Sequence, residues 1–414
     1  MDGLSILLTG GTGFLGTYIA KWLLENTDHG IELLIRAPHG EAERRLERAW
    51  WDWPEMVRPL GDRITLLPGD LTEPGMGLSL PDRERLVGEV SHIVHAAADT
   101  DLSKGLEEAR SINLGGVEKV LELAEEIHRD HGLDRLCHIS TAYVSGRRRG
   151  RIPEDELLDQ GFHNNYERSK FEGEQRVRTS SLSWTIVRPG MVVGDSQNGW
   201  ASTFNTLYYP LRLYLKGARV MPVRGDLEID MVHVDQVAEA VGELTLHPGS
   251  ERRTFHLTAP EGRAPTACRL MEEVREWGAG RGLSLPRAIF LPLPLPRSAS
   301  RGRGNVGALR LLAPYLRGGR CFDRSNTEEL LGSHWRDWRE TLPALMDFAL
   351  YHGFFHRSER TVHEQALFRM SGTNLPVRYF DLVEGEECSR EPGEVRGEVL
   401  RAVSSLEALG LGKG

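Results

Sequence analysis

The chain has 414 residues, with 51 Lys plus Arg against 60 Asp plus Glu, a formal net charge of −9. That balance argues against non-specific nucleic-acid binding, which needs an excess of basic charge. Hydrophobic residues make up 40% and charged residues 27%, which excludes disorder across the whole chain and suits roughly two to three units of ordinary size. Cys137, Cys268, Cys321 and Cys388 are far apart, without the paired spacing of a metal site or a disulfide framework. No metal is expected, and reduced thiols point to a cytoplasmic protein. The sequence lacks an apolar run of roughly 18 residues that could span a membrane, and its start lacks the basic region of a signal peptide. Peripheral contact with a membrane stays open, as does the oligomeric state.

Leu4 to Leu8 is an apolar run typical of a buried parallel strand. It leads into Thr9-Gly10-Gly11-Thr12-Gly13-Phe14-Leu15-Gly16, after which Tyr18, Ile19, Trp22, Leu23 and Leu24 recur with helical spacing. In a strand–turn–helix setting, Gly10 permits the tight turn. Gly13 lets the backbone approach a pyrophosphate, and Gly16 lets helix pack on strand. The pyrophosphate would lie at the helix N-terminus. Ile31 to Ile35 is a second strand. Where an NAD-binding unit places an acidic residue for the ribose hydroxyl, this chain has Arg36, followed by Arg44 and Arg45. Arginine pairs well with a 2′-phosphate, which favours NADPH.

Ile64 to Leu67 reads as a third strand, ending in Pro68-Gly69-Asp70-Leu71. Ser91 to Val94 reads as a fourth, ending in His95-Ala96-Ala97-Ala98, whose small residues would let a flat ligand lie against backbone. Ile112 to Ile127 carries a helical pattern with Asn113 near its start, and Leu136 to Ser140 is a fifth strand. Strands alternating with helices imply a doubly wound parallel sheet, with ligands at the carboxyl ends of its strands.

Ser140-Thr141-Ala142-Tyr143 follows the fifth strand, and Tyr166 and Lys170 share one helix face at i and i+4. A lysine ammonium beside a phenol would lower the Tyr166 pKa towards working pH and make it a proton donor to a carbonyl oxygen. The hydroxyl of Thr141 could hold the same oxygen. Arg147, Arg148, Arg149 and Arg151 form a basic run that either attracts a phosphate of CoA or phosphopantetheine or is a solvated loop. A weaker cluster follows at Arg297, Arg301 and Arg303. The aromatic and aliphatic stretch from Trp200 to Leu215 reads either as a wall of an acyl-chain tunnel or as an ordinary core helix. Ile229 to Val234 should return to the sheet, with Asp235 capping a helix. Pro286 to Pro296 is too proline-rich for helix.

TGGTGFLG, the Gly69-Asp70-Leu71 triplet, HAAA, STAYVSG, YERSK and the Arg188-Pro189-Gly190 triplet occur in an order that resembles the extended short-chain dehydrogenase/reductase superfamily over residues 1 to about 260. LLIRA, GDLTEPGMGLS, NNYERSKFEGEQ and RPGMVVGDSQNG narrow the resemblance to its fatty acyl-CoA and thioester reductase branch. The resemblance implies an α/β Rossmann fold, with a smaller, mostly helical substrate-binding region and a C-terminal extension. It implies a triad of Thr141, Tyr166 and Lys170 supported by Asn113, with Ser140 a neighbour. It places the cofactor against Gly10, Thr12, Gly13, Phe14, Leu15, Gly16, Asp70, Leu71, Ala96, Ala97, Ala98, Tyr166, Lys170, Pro189, Gly190 and Val192. The implied reaction is NADPH-dependent reduction of an acyl thioester, carried on CoA or a carrier, to an aldehyde and in some members on to the alcohol. The alternative is a dehydrogenase or epimerase acting on a sterol, polyketide or sugar nucleotide. A cofactor-binding scaffold has no need of the complete Thr, Tyr and Lys set.

The expected organisation is a dinucleotide-binding domain over 1–258, with 190–227 contributing to the substrate region, a substrate-binding part over 259–352 and an extension over 353–414. In the extension, Asn374 to Leu382 precedes an acidic hinge at Glu384 to Glu387, and Val395 to Leu411 reads as a helix. This segment resembles the opening of an adenylate-forming acyl-CoA synthetase, cut short. A family-specific helical extension is the other reading.

Overall fold

A computed structural model of the chain describes residues 4–355, apart from 38–39, 205–206, 292–314, 316–317 and 334, together with 377–381 and 386–390. Seven strands form the central sheet: β1 (Ser5–Thr9), β2 (Gly30–Ile35), β3 (Ile64–Pro68), β4 (Val90–His95), β5 (Arg135–Ile139), β6 (Trp184–Pro189) and β7 (Arg253–Leu257). Their order across the sheet is β7-β6-β5-β4-β1-β2-β3 and every pairing is parallel. The chain therefore winds outwards in both directions from β1, and the reversal between β1 and β4 opens a crevice at the carboxyl ends.

Alternation along each strand divides the apolar residues between two cores. Ile6, Leu8, Leu33, Val94 and Val187 join the helices α1 (Phe14–Asn26) and α8 (Val234–Leu246) on one face. Leu7, Leu34, Ile93, Leu136 and Ile186 join α5 (Gly115–Asp130) on the other. Burial on both faces is why these strands read as continuous hydrophobic runs. Further helices are α2 (Ala42–Ala49), α3 (Leu80–Glu89), α4 (Leu106–Asn113), α6 (Asn165–Thr179), α7 (Tyr208–Leu215), α9 (Ala267–Ala279), α10 (Ser325–Leu331) and α11 (Trp338–Tyr351).

A third core joins α7, α9 and α11 through Tyr208, Leu211, Tyr214, Leu270, Val274, Leu342 and Met346. From the stretch Trp200 to Leu215, Leu207, Tyr208, Leu211 and Tyr214 enter this core, the last three each 1% exposed or less. Three short parallel pairs bring this region to the sheet's carboxyl edge. Met191–Val193 pairs with Met231–His233, Val220–Met221 with Ile289–Phe290, and Gly150–Ile152 with Arg320–Phe322.

Several local expectations are corrected. The segment from Ile229 pairs outside the central sheet, because Met231–His233 finds its partner in Met191–Val193. Asp235 does not cap α8: the cap position is His233, and the Asp235 carboxylate accepts bonds from the backbone N–H and the hydroxyl of Ser196. Asn113 ends α4 rather than starting the long helix, since the pattern is broken at Leu114. Glu386 and Glu387 lie in a strand, Glu386–Arg390, paired antiparallel with Val377–Asp381, instead of in a hinge. The helix expected at Val395 to Leu411 and the cluster of Arg297, Arg301 and Arg303 lie outside the described residues. Among the described residues, no helix is long and apolar enough to cross a membrane, and no group of His, Cys, Asp and Glu could hold a metal.

Candidate functional site

The glycine turn is built for a close ligand. Gly10 has φ +77°, a conformation that L side chains rarely adopt, and a Cβ there would meet Ala97 N at 2.6 Å. Gly16 lies so close to the turn that its Cβ would meet Gly10 O at 2.0 Å. Gly13 occupies the cap position of α1 and supplies no side-chain cap, which leaves the first N–H groups of the helix facing the crevice. Trp50, fully buried, donates its indole N–H to Gly11 O at 3.1 Å and holds the turn from behind.

A cleft of about 560 Å³ opens over this turn. Gly10, Thr12, Gly13, Arg36, Asp70, Leu71, Ala96, Ala97 and Ala98 line it, as does Arg45, whose guanidinium donates to Arg36 O. Arg44, one position earlier on α2, is absent from that lining. Phe14 packs its ring on Tyr18 and Trp200, at centroid distances of 6.4 and 5.8 Å, and Leu15 packs against the core. Asp70 Oδ1 accepts from both the N–H and the hydroxyl of Thr72 at 2.8 Å.

The Thr, Tyr and Lys set stands at the carboxyl end of β5. Thr141 caps a 3-10 turn over Ala142–Ser145, accepting from Tyr143 N at 3.3 Å and donating to Pro189 O at 3.4 Å. Asn164 caps α6 by accepting from Glu167 N at 2.9 Å. That cap fixes where Tyr166 and Lys170 project. Lys170 is 2% exposed and donates from Nζ to Ile139 O at 2.6 Å. Asn113, 1% exposed, binds Asp99 N (2.8 Å), Asp99 O (2.9 Å) and the Ser169 hydroxyl (3.0 Å), so it ties α6 to the cleft wall. The Ser140 hydroxyl turns away to Glu174 Oε2 at 2.7 Å.

The electrostatics differ from the expectation for Tyr166. Burial pushes its phenol up to about 12, with the Thr141 hydroxyl pulling the other way. Lys170 is pushed down to about 8 by its own burial, and its ammonium is bound to a backbone carbonyl. In the free chain the phenol is therefore a neutral proton donor. Burial dominates: Lys170 is buried and Tyr166 partly so, and the ammonium is bound to Ile139 O.

Beneath the site, Glu174 on α6 is fully buried with Arg188 from β6. Burial alone would raise the Glu174 carboxyl, but the guanidiniums of Arg188 and Arg178 outweigh it and hold the group at about 2. This network fixes the α6 backbone against β6.

A second pocket of about 400 Å³ shares Tyr143 with the site and includes Met191, Asp230, Tyr315, Arg320 and Phe322. Arg320 lies over the rings of Tyr143 and Tyr315, at 5.5 and 5.9 Å, and Asn164 donates to the Tyr315 hydroxyl at 2.7 Å. Burial pushes the Asp230 carboxyl up to about 6, against the Ala259 N–H. Of the basic run, Arg148 pairs with Glu156 (2.6 Å), Arg151 pairs with Asp323, and Arg147 donates to Phe162 O (3.1 Å). Arg149 lines this pocket and is exposed. Asp230, Tyr315 and Arg320 had no signal in the sequence, because their roles arise from pairings across the chain. Arg45 stood with Arg36 and Arg44 in the sequence, and of the two on α2 it is Arg45 that lines the cleft.

Fold and site together define a dinucleotide-binding oxidoreductase of the extended short-chain dehydrogenase/reductase type. The chain belongs to the NAD-binding family described as Male sterility protein, which matches residues 8–241. It is 30% identical to glycine betaine reductase ATRR of Emericella nidulans over 277 residues, 63% of this chain and 21% of that protein. It is 30% identical to fatty acyl-CoA reductase wat of Drosophila melanogaster over 292 residues, 62% of this chain and 56% of that protein. The matches thus span about a fifth and just over half the length of these two relatives. Among solved structures, the terminal R domain from the myxalamid PKS-NRPS biosynthetic pathway is similar with a TM-score of 0.72 and 26% identity, covering 86% of this chain and 93% of that one.

Proposed function

We propose that the chain reduces an acyl thioester to an aldehyde with NADPH, through Thr141, Tyr166 and Lys170, with residues 1–258 binding the cofactor and 259–352 completing the substrate side. The observation that carries this reading is the grouping of a buried hydroxyl and a buried lysine with a partly buried phenol at the carboxyl end of β5, where Lys170 donates to Ile139 O. The similarity to fatty acyl-CoA and glycine betaine reductases and to a terminal R domain supports the thioester or carboxylate class.

The cleft fits a phosphorylated dinucleotide: a Cβ at Gly10 would fill the cradle, and Arg36 and Arg45 supply two guanidiniums at the β2 end for a 2′-phosphate. When bound, NADPH supplies a hydride to the thioester carbonyl carbon. Thr141 holds the carbonyl oxygen, and Tyr166 gives it a proton as negative charge develops. Lys170, bound to Ile139 O, keeps a positive charge near that oxygen. The resulting hemithioacetal breaks its C–S bond to give an aldehyde and a free thiol. Arg149, exposed at the pocket wall, is placed to meet a phosphate of CoA or a phosphopantetheine arm.

The test is NADPH oxidation with acyl-CoA and acyl-pantetheine thioesters, with thiol release followed in parallel. Thiol and oxidised cofactor should appear in equal amounts. Tyr166→Phe should keep cofactor binding and lose about 10²- to 10⁴-fold in kcat. Undiminished turnover in that variant would remove Tyr166 from the reaction.

A further inference from the structure

Thr141, Tyr166 and Lys170 all serve the carbonyl oxygen in the proposed reduction, yet the step that releases the product breaks a C–S bond. Sulfur then leaves as a thiolate, an anion formed away from bulk water, which calls for a donor of its own. A second hydroxyl stands two residues beyond Thr141. Tyr143 belongs to the Ala142–Ser145 turn that Thr141 caps, and its backbone N–H donates to Thr141 Oγ1 at 3.3 Å. Its ring lines the second pocket. Its hydroxyl makes no hydrogen bond to the described residues. Unlike Asp230 Oδ2, which is sealed against the Gly190 backbone, it is open to the cavity.

Two neighbours hold the ring in place. Tyr315 packs edge-on against it at 4.7 Å, with its own hydroxyl bound at 2.7 Å by Asn164, the cap of α6. Arg320 lies over the Tyr143 ring at 5.5 Å and forms no ion pair among the described residues; its guanidinium donates to Gly146 O at 3.5 Å. The other charges of the pocket are placed elsewhere. Arg224 pairs with Asp226, Asp230 accepts from Ala259 N, and Arg149 and Glu228 are exposed. Burial, and then the Asp230 carboxylate, push the Tyr143 phenol up; Tyr166 and Glu167 act in the same sense, and Arg320 opposes them. Tyr143 is therefore a neutral O–H donor at working pH.

We propose that Tyr143 is a further catalytic residue, which donates its O–H to the sulfur of the leaving group as the C–S bond breaks. The proposal rests on the thioester-reductase reading. In this step the hemithioacetal returns its hydroxyl proton to the Tyr166 oxygen, the carbonyl re-forms, and sulfur departs with the electron pair of the C–S bond. Tyr143 keeps its proton, because a phenol is a weaker acid than an alkyl thiol, and it gives the thiolate a charge-assisted hydrogen bond. Arg320, over the same ring, adds positive charge on that side of the site. The thiolate takes a proton from solvent on release.

The test varies the leaving group. Hexanoyl thioesters of pantetheine, thiophenol and 4-nitrothiophenol, thiols of falling basicity, are compared by kcat in the wild-type chain and in Tyr143→Phe, which deletes only an oxygen that bonds no described residue. The variant should lose about ten- to a hundredfold with the pantetheine thioester and progressively less as the thiol becomes more acidic, with the KM for NADPH unchanged. With deuterium in the transferred position of NADPH, the isotope effect on kcat for the pantetheine thioester should lie closer to one in the variant than in the wild type, because C–S cleavage then limits turnover. Tyr143→Met serves the same comparison should the Phe variant not fold. A loss equal for all three thiols, or no loss, overturns the assignment of Tyr143 and leaves the reductase reading standing. If the wild-type chain reduces none of the three, the reductase reading falls and the role of Tyr143 falls with it.

Discussion

Glu174→Gln isolates the buried ion pair beneath the proposed catalytic helix. Glu174 accepts four hydrogen bonds: from Arg188 at 2.6 and 3.0 Å, Arg178 at 2.9 Å and Ser140 at 2.7 Å. The Glu174 and Arg188 side chains are 0% and 1% exposed. Removing one partner of such a pair leaves an uncompensated buried cation, which costs about 3–5 kcal/mol. Proton linkage gives a similar size. A carboxyl held at about 2 instead of its ordinary 4.5 contributes about 3 kcal/mol at neutral pH.

The sign follows from a depressed carboxyl. The contribution is fully present above the unfolded value and is lost as pH falls from 4.5 towards 2. Urea unfolding of both proteins at several pH values is the assay. The difference should be largest near pH 7 and shrink to about 2 kcal/mol by pH 3.5. A gap under about 1 kcal/mol at neutral pH, or one that does not change with pH, would refute the view that the charge of this pair holds α6 against β6.

Three further outcomes follow from the same geometry. Burial holds Lys170 at about 8, so its charge is present below that pH and lost above it. The rate should therefore fall as pH rises through about 8, and Lys170→Met should remove this limb of the pH–rate profile. With Arg36 and Arg45 in the cleft wall, replacing both by Ala should raise the KM for NADPH about tenfold or more while leaving that for NADH little changed. Equal effects on the two cofactors would show that neither guanidinium meets a 2′-phosphate. Gly10→Ala puts a methyl group 2.6 Å from Ala97 N at φ +77°. Cofactor affinity, measured by fluorescence titration, should drop by more than tenfold.

The pattern of apolar runs and glycines was enough to specify the parallel sheet and its first turn, because those features depend on local periodicity and on backbone freedom at Gly10. The i, i+4 spacing of Tyr166 and Lys170 likewise needed only the helix. What the sequence misjudged was their electrostatics: a shared helix face does not decide where an ammonium points, and Lys170 turns to Ile139 O. Nor could it decide between tunnel and core for Trp200 to Leu215, since that choice depends on α9 and α11, far along the chain.

The charge balance and cysteine spacing already spoke against nucleic-acid binding and clustered metal ligands, and the order of motifs named the superfamily, for these are properties of composition and short segments. The second pocket was decided only by tertiary structure. Arg320 reaches it because Arg320–Phe322 pairs with Gly150–Ile152, and Asp230 because Met231–His233 pairs with Met191–Val193. Such pairings join residues separated by tens to hundreds of positions, and no local period encodes them.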